Sequence, residues 1–328
     1  MHFARRRFLQ LAVGAIAVPA LSRSAAAQTY PSRPIIMDVP FAAGGPTDTI
    51  ARVIAQRMSV SLGQNIAIEN VSGADGTIGV GRVARAPPDG YTLSFGDSST
   101  HVLNGAAYAL PYDVLNDFAP VAFTSSNPLL IVTNTDVPAG NLKELIAWIK
   151  TNQDKVSMGI GSMTHRVSGI YFQNLTGTRF TLVPYRGAAP AMQDLMAGRI
   201  ELMFDQAVTS LPLVHAGRTK AYAVTSAARL AAAPDVPTID EAGLPGLYIT
   251  TWRALWAPKA TPANIIARLN AAVVEALADP EVRRRLTDDL GQDIPAREQQ
   301  TPQALYAFHK AEIEKWWALI KAANIKME

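Results

Sequence analysis

The 328-residue sequence contains no cysteine. That absence excludes a disulfide scaffold, a thiolate zinc site, a cysteine-ligated iron–sulfur cluster and a cysteine nucleophile. Charge is sparse, at 17% Asp, Glu, Lys and Arg against 48% hydrophobic residues, which excludes intrinsic disorder. No apolar run reaches the roughly 20 residues that a membrane-spanning helix needs. Catalytic signatures are also missing. There is no G-x-S-x-G elbow and no G-x-x-x-x-G-K-[ST] loop. Gly76-Thr77-Ile78-Gly79-Val80-Gly81 spaces its glycines in reverse of the dinucleotide-binding order. The five histidines, His2, His101, His165, His215 and His309, form no H-x-x-x-H pair, so no metal is expected. The reading is of a chain that is not an enzyme and uses no cofactor.

Basic excess is lacking too, once its position is considered. The net charge is +3, but Arg5, Arg6, Arg7 and Arg23 all fall within residues 1–27, which hold no acid. The remainder has 26 basic and 27 acidic residues, a net −1, so no nucleic-acid partner is implied. Residues 1–27 read as an export signal: the arginines, an apolar stretch from Phe8 to Leu21, and Ala25-Ala26-Ala27 as an A-x-A cleavage site. Arg5-Arg6-Arg7-Phe8-Leu9-Gln10 resembles the twin-arginine pattern, with a Sec signal as the alternative. The apolar stretch contains Gln10, Gly14 and Pro19 and is too short for an anchor. A soluble periplasmic protein starting near Gln28 is expected.

Short apolar runs alternate with helical patterns. Strands are expected at Ile35–Phe41, Asn65–Val71, Thr92–Gly96, Leu129–Thr133, Val156–Ile160, Thr181–Tyr185, Glu201–Phe204, Ala221–Thr225 and Arg253–Ala257. Their continuous hydrophobicity suggests parallel strands buried on both faces. Helices are expected at Pro46–Leu62, Asn141–Thr151, Ser168–Leu175, Ala188–Ala197, Pro262–Ala278, Pro280–Asp288 and Pro302–Ala323, with Asn141 and Thr261 as N-caps. The pattern is α/β and doubly wound. The length suggests two domains, and no tether joins them. Crossings through strands near Ser125–Leu130 and Thr250–Ala254 would give one lobe from 28–127 plus 254–328 and a second from 128–253. The final helix is expected to lie across the first lobe.

Two glycine loops carry the chemistry. Pro40-Phe41-Ala42-Ala43-Gly44-Gly45-Pro46-Thr47-Asp48 follows a buried strand and opens a helix. Its first-turn N–H groups make an anion site without a cationic side chain. Asp48 reads either as a complement to the helix dipole or as a contact to the far end of a ligand. The second loop, Gly159-Ile160-Gly161-Ser162-Met163-Thr164-His165, offers Ser162 and Thr164 as caps or donors and His165 as a neutral donor. Ser98 with Ser99, Thr100 and His101, then Asp205 and Arg186, end other strands and are weaker candidates. Arg186 reads as a carboxylate partner or an inter-lobe salt bridge.

Several blocks together are similar to one family. Val39 to Asp48 with Ala51-Arg52 resembles the first ligand loop of the Bordetella uptake gene (Bug) family, the extracytoplasmic receptors of tripartite tricarboxylate transporters. Glu69 to Gly76, Pro88 to Leu93, Pro184-Tyr185-Arg186-Gly187, Ala197-Gly198-Arg199 and Glu314-Lys315-Trp316 through Ile325-Lys326 continue the resemblance in order. It implies a two-lobed type II periplasmic-binding fold, a monomer, that closes on a small carboxylate, often a di- or tricarboxylate or an acidic or amidated amino acid, and delivers it to a membrane permease. Ligand contacts are implied at Phe41, Ala42, Gly44, Gly45, Asp48, Ser98, Ser162, Thr164, His165 and Asp205. Met163 and His165 stand where the family pattern has smaller residues. A signalling co-receptor of the same fold and an exported serine hydrolase built on Ser162 and His165 are the alternatives.

Overall fold

A computed structural model of the chain describes residues 30–322. The expected export signal and the last residues of the C-terminal block lie outside them. The first half of the fold has strands β1 (Ile35–Val39), β2 (Ile66–Asn70), β3 (Thr92–Asp97) and β4 (Phe118–Asn134), with helices α1 (Pro46–Leu62), α2 (Thr77–Ala84) and α3 (Asn104–Ala107) between them. Then come α4 (Leu142–Thr151), β5 (Ser157–Ile160), α5 (Met163–Thr176), β6 (Thr181–Pro184), α6 (Ala188–Met196), β7 (Leu202–Gln206), α7 (Ala207–His215) and β8 (Thr219–Val224). The chain returns through β9 (Thr250–Pro258) and ends in α8 (Ala263–Ala278), α9 (Pro280–Arg284) and α10 (Pro302–Ala322).

All nine expected strands are present, but the sheet is mixed rather than parallel. Its order is β2-β1-β3-β9-β4-β7-β5-β6, with β8 also on β4. β1 pairs in parallel with β2 and β3, and β5 with β6 and β7; every pairing of β4 and β9 is antiparallel. β4 is much longer than the expected Leu129–Thr133. Its Phe118–Pro128 stretch pairs with β9, and its Leu129–Asn134 stretch with β7 and β8. Pro120 flanks a register shift in the β9 pairing, a place where a strand tolerates a missing N–H.

α1 occupies its expected bounds. Pro46 sits at its start, Gly63 closes it in the left-handed region (φ 68°), and Ile50, Val53, Ile54 and Met58 are buried. They join Ile35, Met37, Leu93 and the α8 residues Leu269, Val273 and Leu277 in one core. A second core holds Leu129, Ile131, Leu145, Met158, Phe172 and Phe204. α10 packs through Leu305, Ile313 and Ile320 against Trp252 and Trp256 of β9, with Met163 and Val167 of α5 in the same cluster.

Three expectations need correction. α5 begins at Met163 instead of Ser168, because Ser162 takes the N-cap. α2, α3 and α7 were not expected; glycines dilute the first pattern, the second is only four residues long and Pro212 interrupts the third. Asn141 caps α4 as expected, accepting from the Glu144 N–H, but Thr261 does not cap α8: its hydroxyl donates to the Pro258 carbonyl.

Asp38 on β1 is fully buried, and neither carboxylate oxygen has a hydrogen-bond partner among the described residues. Burial pushes its pKa up to about 7, opposed by Arg82 and reinforced by Glu69. An unfolded chain releases this proton near pH 4, so stability falls as pH rises from about 4 to about 7 and is then level. Asp38→Asn is expected to be roughly 2–4 kcal/mol more stable than the native chain at pH 8, a gap that closes toward pH 4. Urea unfolding at the two pH values tests this; equal midpoints at pH 8 would contradict it.

Candidate functional site

Both glycine loops meet at the seam between the two halves of the sheet. Phe41, Gly45, Pro46 and Thr47 from the first loop face Gly161, Ser162 and His165 from the second across an inner cavity of about 20 Å³, completed by Asp97, Ala188 and Gln206. These residues mark helix starts. Gly45 is the N-cap of α1, Ser162 of α5 and Gln206 of α7, while Ala188 is the first residue of α6. Two converging N-termini were expected; the fold brings four. Each carries about half a positive charge on N–H groups with no intrahelical acceptor. Gly45, Gly187 and Gln206 make no side-chain cap bond. A small space ringed in this way suits an anion.

Ser162 and His165 are arranged as donors. The Ser162 hydroxyl oxygen accepts from the His165 main-chain N–H at 3.4 Å, which leaves its own O–H to donate. The Gly161 N–H donates to His165 Nδ1 at 3.0 Å, which places the imidazole proton on Nε2. Burial lowers the His165 pKa below its ordinary value, against the pull of Asp205 and Asp75, so the ring is neutral at pH 7. This geometry does not support the hydrolase alternative. Ser162 bonds the backbone of His165 rather than its ring, and the nitrogen that an orienting acid would need already serves as an acceptor.

The other expected residues are placed differently. The Gly44 N–H donates to Asp48 Oδ2 at 2.9 Å, Arg52 Nε adds a bond at 3.0 Å, and the Asn70 amide donates to Asp48 Oδ1 at 3.0 Å. Asp48 and Gly44 thus brace the first loop from within. These hydrogen bonds, with Arg52, hold the Asp48 pKa below the ordinary value despite burial. Ala42 lies outside the inner cavity, its N–H donating to the Arg186 carbonyl at 3.3 Å. Ser98 and Thr164 line a separate void of about 10 Å³ beside Trp316. Asp205 is fully buried; Ser210 donates to its Oδ2 at 2.6 Å, Thr209 donates there as well, and Oδ1 has no partner among the described residues. Arg186 forms no salt bridge among the described residues. It lines an outer chamber of about 690 Å³ with Ala42, Ala43, Asp75, Tyr108 and Arg166.

Ser99, a weaker candidate, has a positioning role, and one contributor, Arg253, was missed. Ser99 Oγ accepts from the Met163 N–H at 2.9 Å, tying the turn after β3 to the start of α5. Arg253 is fully buried on β9. Its Nη1 donates to Asn127 at 3.2 Å and Gln292 at 3.1 Å, Nη2 donates to Gln206, and Nε donates to Thr47 at 3.4 Å. Two of those partners, Thr47 and Gln206, line the inner cavity. The signal was visible: one cation in the otherwise uncharged run Thr250–Pro258.

Comparison with known proteins shows the family. The model for the tripartite tricarboxylate transporter family receptor (TctC) matches residues 50–325. BugT of Bordetella pertussis is 34% identical over 318 residues, covering 95% of this chain and 96% of its own. The solved periplasmic binding protein BugD is 37% identical with a TM-score of 0.87, covering 91% of this chain and 100% of that one. MatC from Rhodopseudomonas palustris, solved with bound malate, is 39% identical with a TM-score of 0.85, covering 89% and 100%.

Proposed function

Because the chain belongs to the Bug family of tripartite tricarboxylate transporter receptors, we propose that it captures a small organic carboxylate in the periplasm and hands it to a membrane permease. The observation that supports this most is the ring of four helix N-termini around the inner cavity. One carboxylate there accepts from the first-turn N–H groups of α1, from the Ser162 hydroxyl and from the neutral His165 Nε2–H. Asp97 lies in the same wall, and burial raises its pKa, which lessens its repulsion of the ligand. No bond is made or broken, so the receptor is not an enzyme. The malate bound by MatC is a natural first acid to try.

Lobe closure is the proposed mechanism. The lobes are residues 28–127 with 254–328, and 128–253, turning about the β4 and β9 crossings. A ligand that touches both loops binds the closed state better, and that difference drives closure. Export through the twin-arginine route belongs to the same proposal, supported by Arg5-Arg6-Arg7-Phe8-Leu9-Gln10.

Thermal unfolding of the exported protein against aliphatic dicarboxylates, malate, citrate, acidic amino acids, aromatic acids and neutral sugars tests the reading. A ligand at 100 times its Kd adds about 2.7 kcal/mol, expected as a rise of several degrees for one or a few acids. A rise with sugars alone, or with nothing while mass spectrometry finds no co-purified ligand, would overturn it.

A further inference from the structure

The proposed closure draws on a ligand that touches both loops. The same two lobes also meet at contacts that involve no residue of the inner cavity. Met163 and Val167 stand on α5, in the lobe of residues 128–253, yet both are buried in a core that the other lobe builds. Apart from these two and Trp252 of the crossing strand β9, every buried member of that cluster belongs to residues 28–127 or 254–328. Phe172, further along α5, joins the core of its own lobe instead.

Met163 is held twice over. Its side chain is fully buried. Its main-chain N–H, one of those that a helix start leaves without an intrahelical acceptor, donates to Ser99 Oγ at 2.9 Å. Ser99 is fully buried too, in the lobe of residues 28–127. The turn that carries Ser99 is fixed from behind by α10: His309 Nε2 donates to the His101 carbonyl at 2.6 Å and Trp317 Nε1 to the Val102 carbonyl at 2.8 Å. Drawing the lobes apart therefore exposes a methionine and a valine, leaves a hole in the cluster and strips a buried N–H of its acceptor. None of these costs depends on what the inner cavity holds.

We propose that Met163 is a latch that holds the lobes closed before a ligand arrives, so that ligand entry and ligand exit both wait on a spontaneous opening. The inference rests on the two-lobed receptor reading above and adds what controls its exchange. Such a latch stabilises the ligand-free closed state and the occupied closed state equally. It slows association and dissociation together and nearly cancels from the affinity. A contact made only after the ligand has bound behaves differently: its loss raises the dissociation rate and weakens binding by the same factor.

The test combines small-angle scattering of the exported protein, shown by mass spectrometry to carry no acid, with stopped-flow fluorescence of Trp252 and Trp256, which share the Met163 cluster. The probe is the acid that raises the melting midpoint most among those tried above. The native radius of gyration is expected to be the same with and without that acid. Met163→Ala is expected to be larger without it and to contract to the native value when it is added. Both rate constants are expected to rise about fivefold in M163A while Kd changes less than about threefold. Met163→Leu, which keeps the bulk, is expected to follow the native protein in every reading. Where M163A does not fold, Ser99→Ala, which removes only the acceptor, is measured in its place and is expected to speed both rates. A native protein that expands when the acid is removed would overturn the proposal, as would equal radii for native and M163A without acid. An unchanged association rate with weakened affinity would overturn it too, by placing Met163 among contacts made after binding. The scattering without acid involves no ligand, so it decides the latch even where every acid fails to bind and the carboxylate reading falls.

Discussion

Gly45→Val is expected to abolish ligand binding, by at least a thousandfold in affinity, while the protein stays folded. The N-cap backbone at Gly45 has φ −78° and ψ 172°, an extended conformation that valine adopts readily. A Cβ there meets nothing nearer than the Ala42 carbonyl at 3.3 Å, so the loop gives by a few tenths of an ångström. The γ-methyl groups then stand at the edge of an inner cavity of about 20 Å³ and fill the place of the carboxylate. Exchanging glycine for valine at an N-cap costs about 1 kcal/mol, or roughly 2 °C in a domain of this size. Calorimetric titration with any acid that binds the native protein, together with a melting curve, reads both effects. Native affinity in the variant would remove the N-terminus of α1 from the site.

Arg253→Met is expected to be the most damaging single change to stability. Burial lowers the guanidinium pKa to about 10, opposed by Asp97 and Asp205, so the group is charged throughout the neutral range. Methionine approximates its volume but returns no donor to Asn127, Gln292, Gln206 or Thr47. It also leaves the fully buried Asp97 and Asp205 without the nearby cation. Removing one side of a buried charged network costs about 3–5 kcal/mol, a fall of roughly 6–10 °C. Arg253→Lys keeps the charge but cannot reach four acceptors on different elements, so it recovers less than half. Melting followed by circular dichroism decides it, and a native midpoint for R253M would show that the network contributes little.

Much of this architecture was legible because buried strands read as apolar runs and α1 carries its own start and stop, Pro46 and Gly63. What escaped the sequence depends on partners far along the chain. The first part of β4, with Pro120, Thr124, Ser125 and Asn127, looks like a loop, and becomes strand only because β9 pairs with it. α2 contains Gly79 and Gly81, poor helix formers, and Gly79 is there for space: a Cβ would lie 2.6 Å from the Val71 carbonyl. In the site, Gly45, Ser162 and His165 were identifiable from strand-to-helix junctions. The role of Asp48 was not, since the group that turns it inward, Asn70, comes from the end of β2. Ser98 and Thr164 show the same limit. Their polarity was apparent, but which void they border is set by Trp316 of α10.

The course of β4 and β9 also bears on the order in which the molecule assembles. Every pairing among β5, β6, β7, β8 and the later part of β4 joins residues between 129 and 224. The other half of the sheet closes later, because β3, already paired with β1 on one side, and Phe118–Pro128 are joined only when residues 250–258 arrive. Loop closure over such separations is slow. The half containing β5–β8 is therefore expected to form first, with β9 inserting between β3 and β4 as the late step. Until then those two strands present open edges, the state in which the protein is most exposed to aggregation.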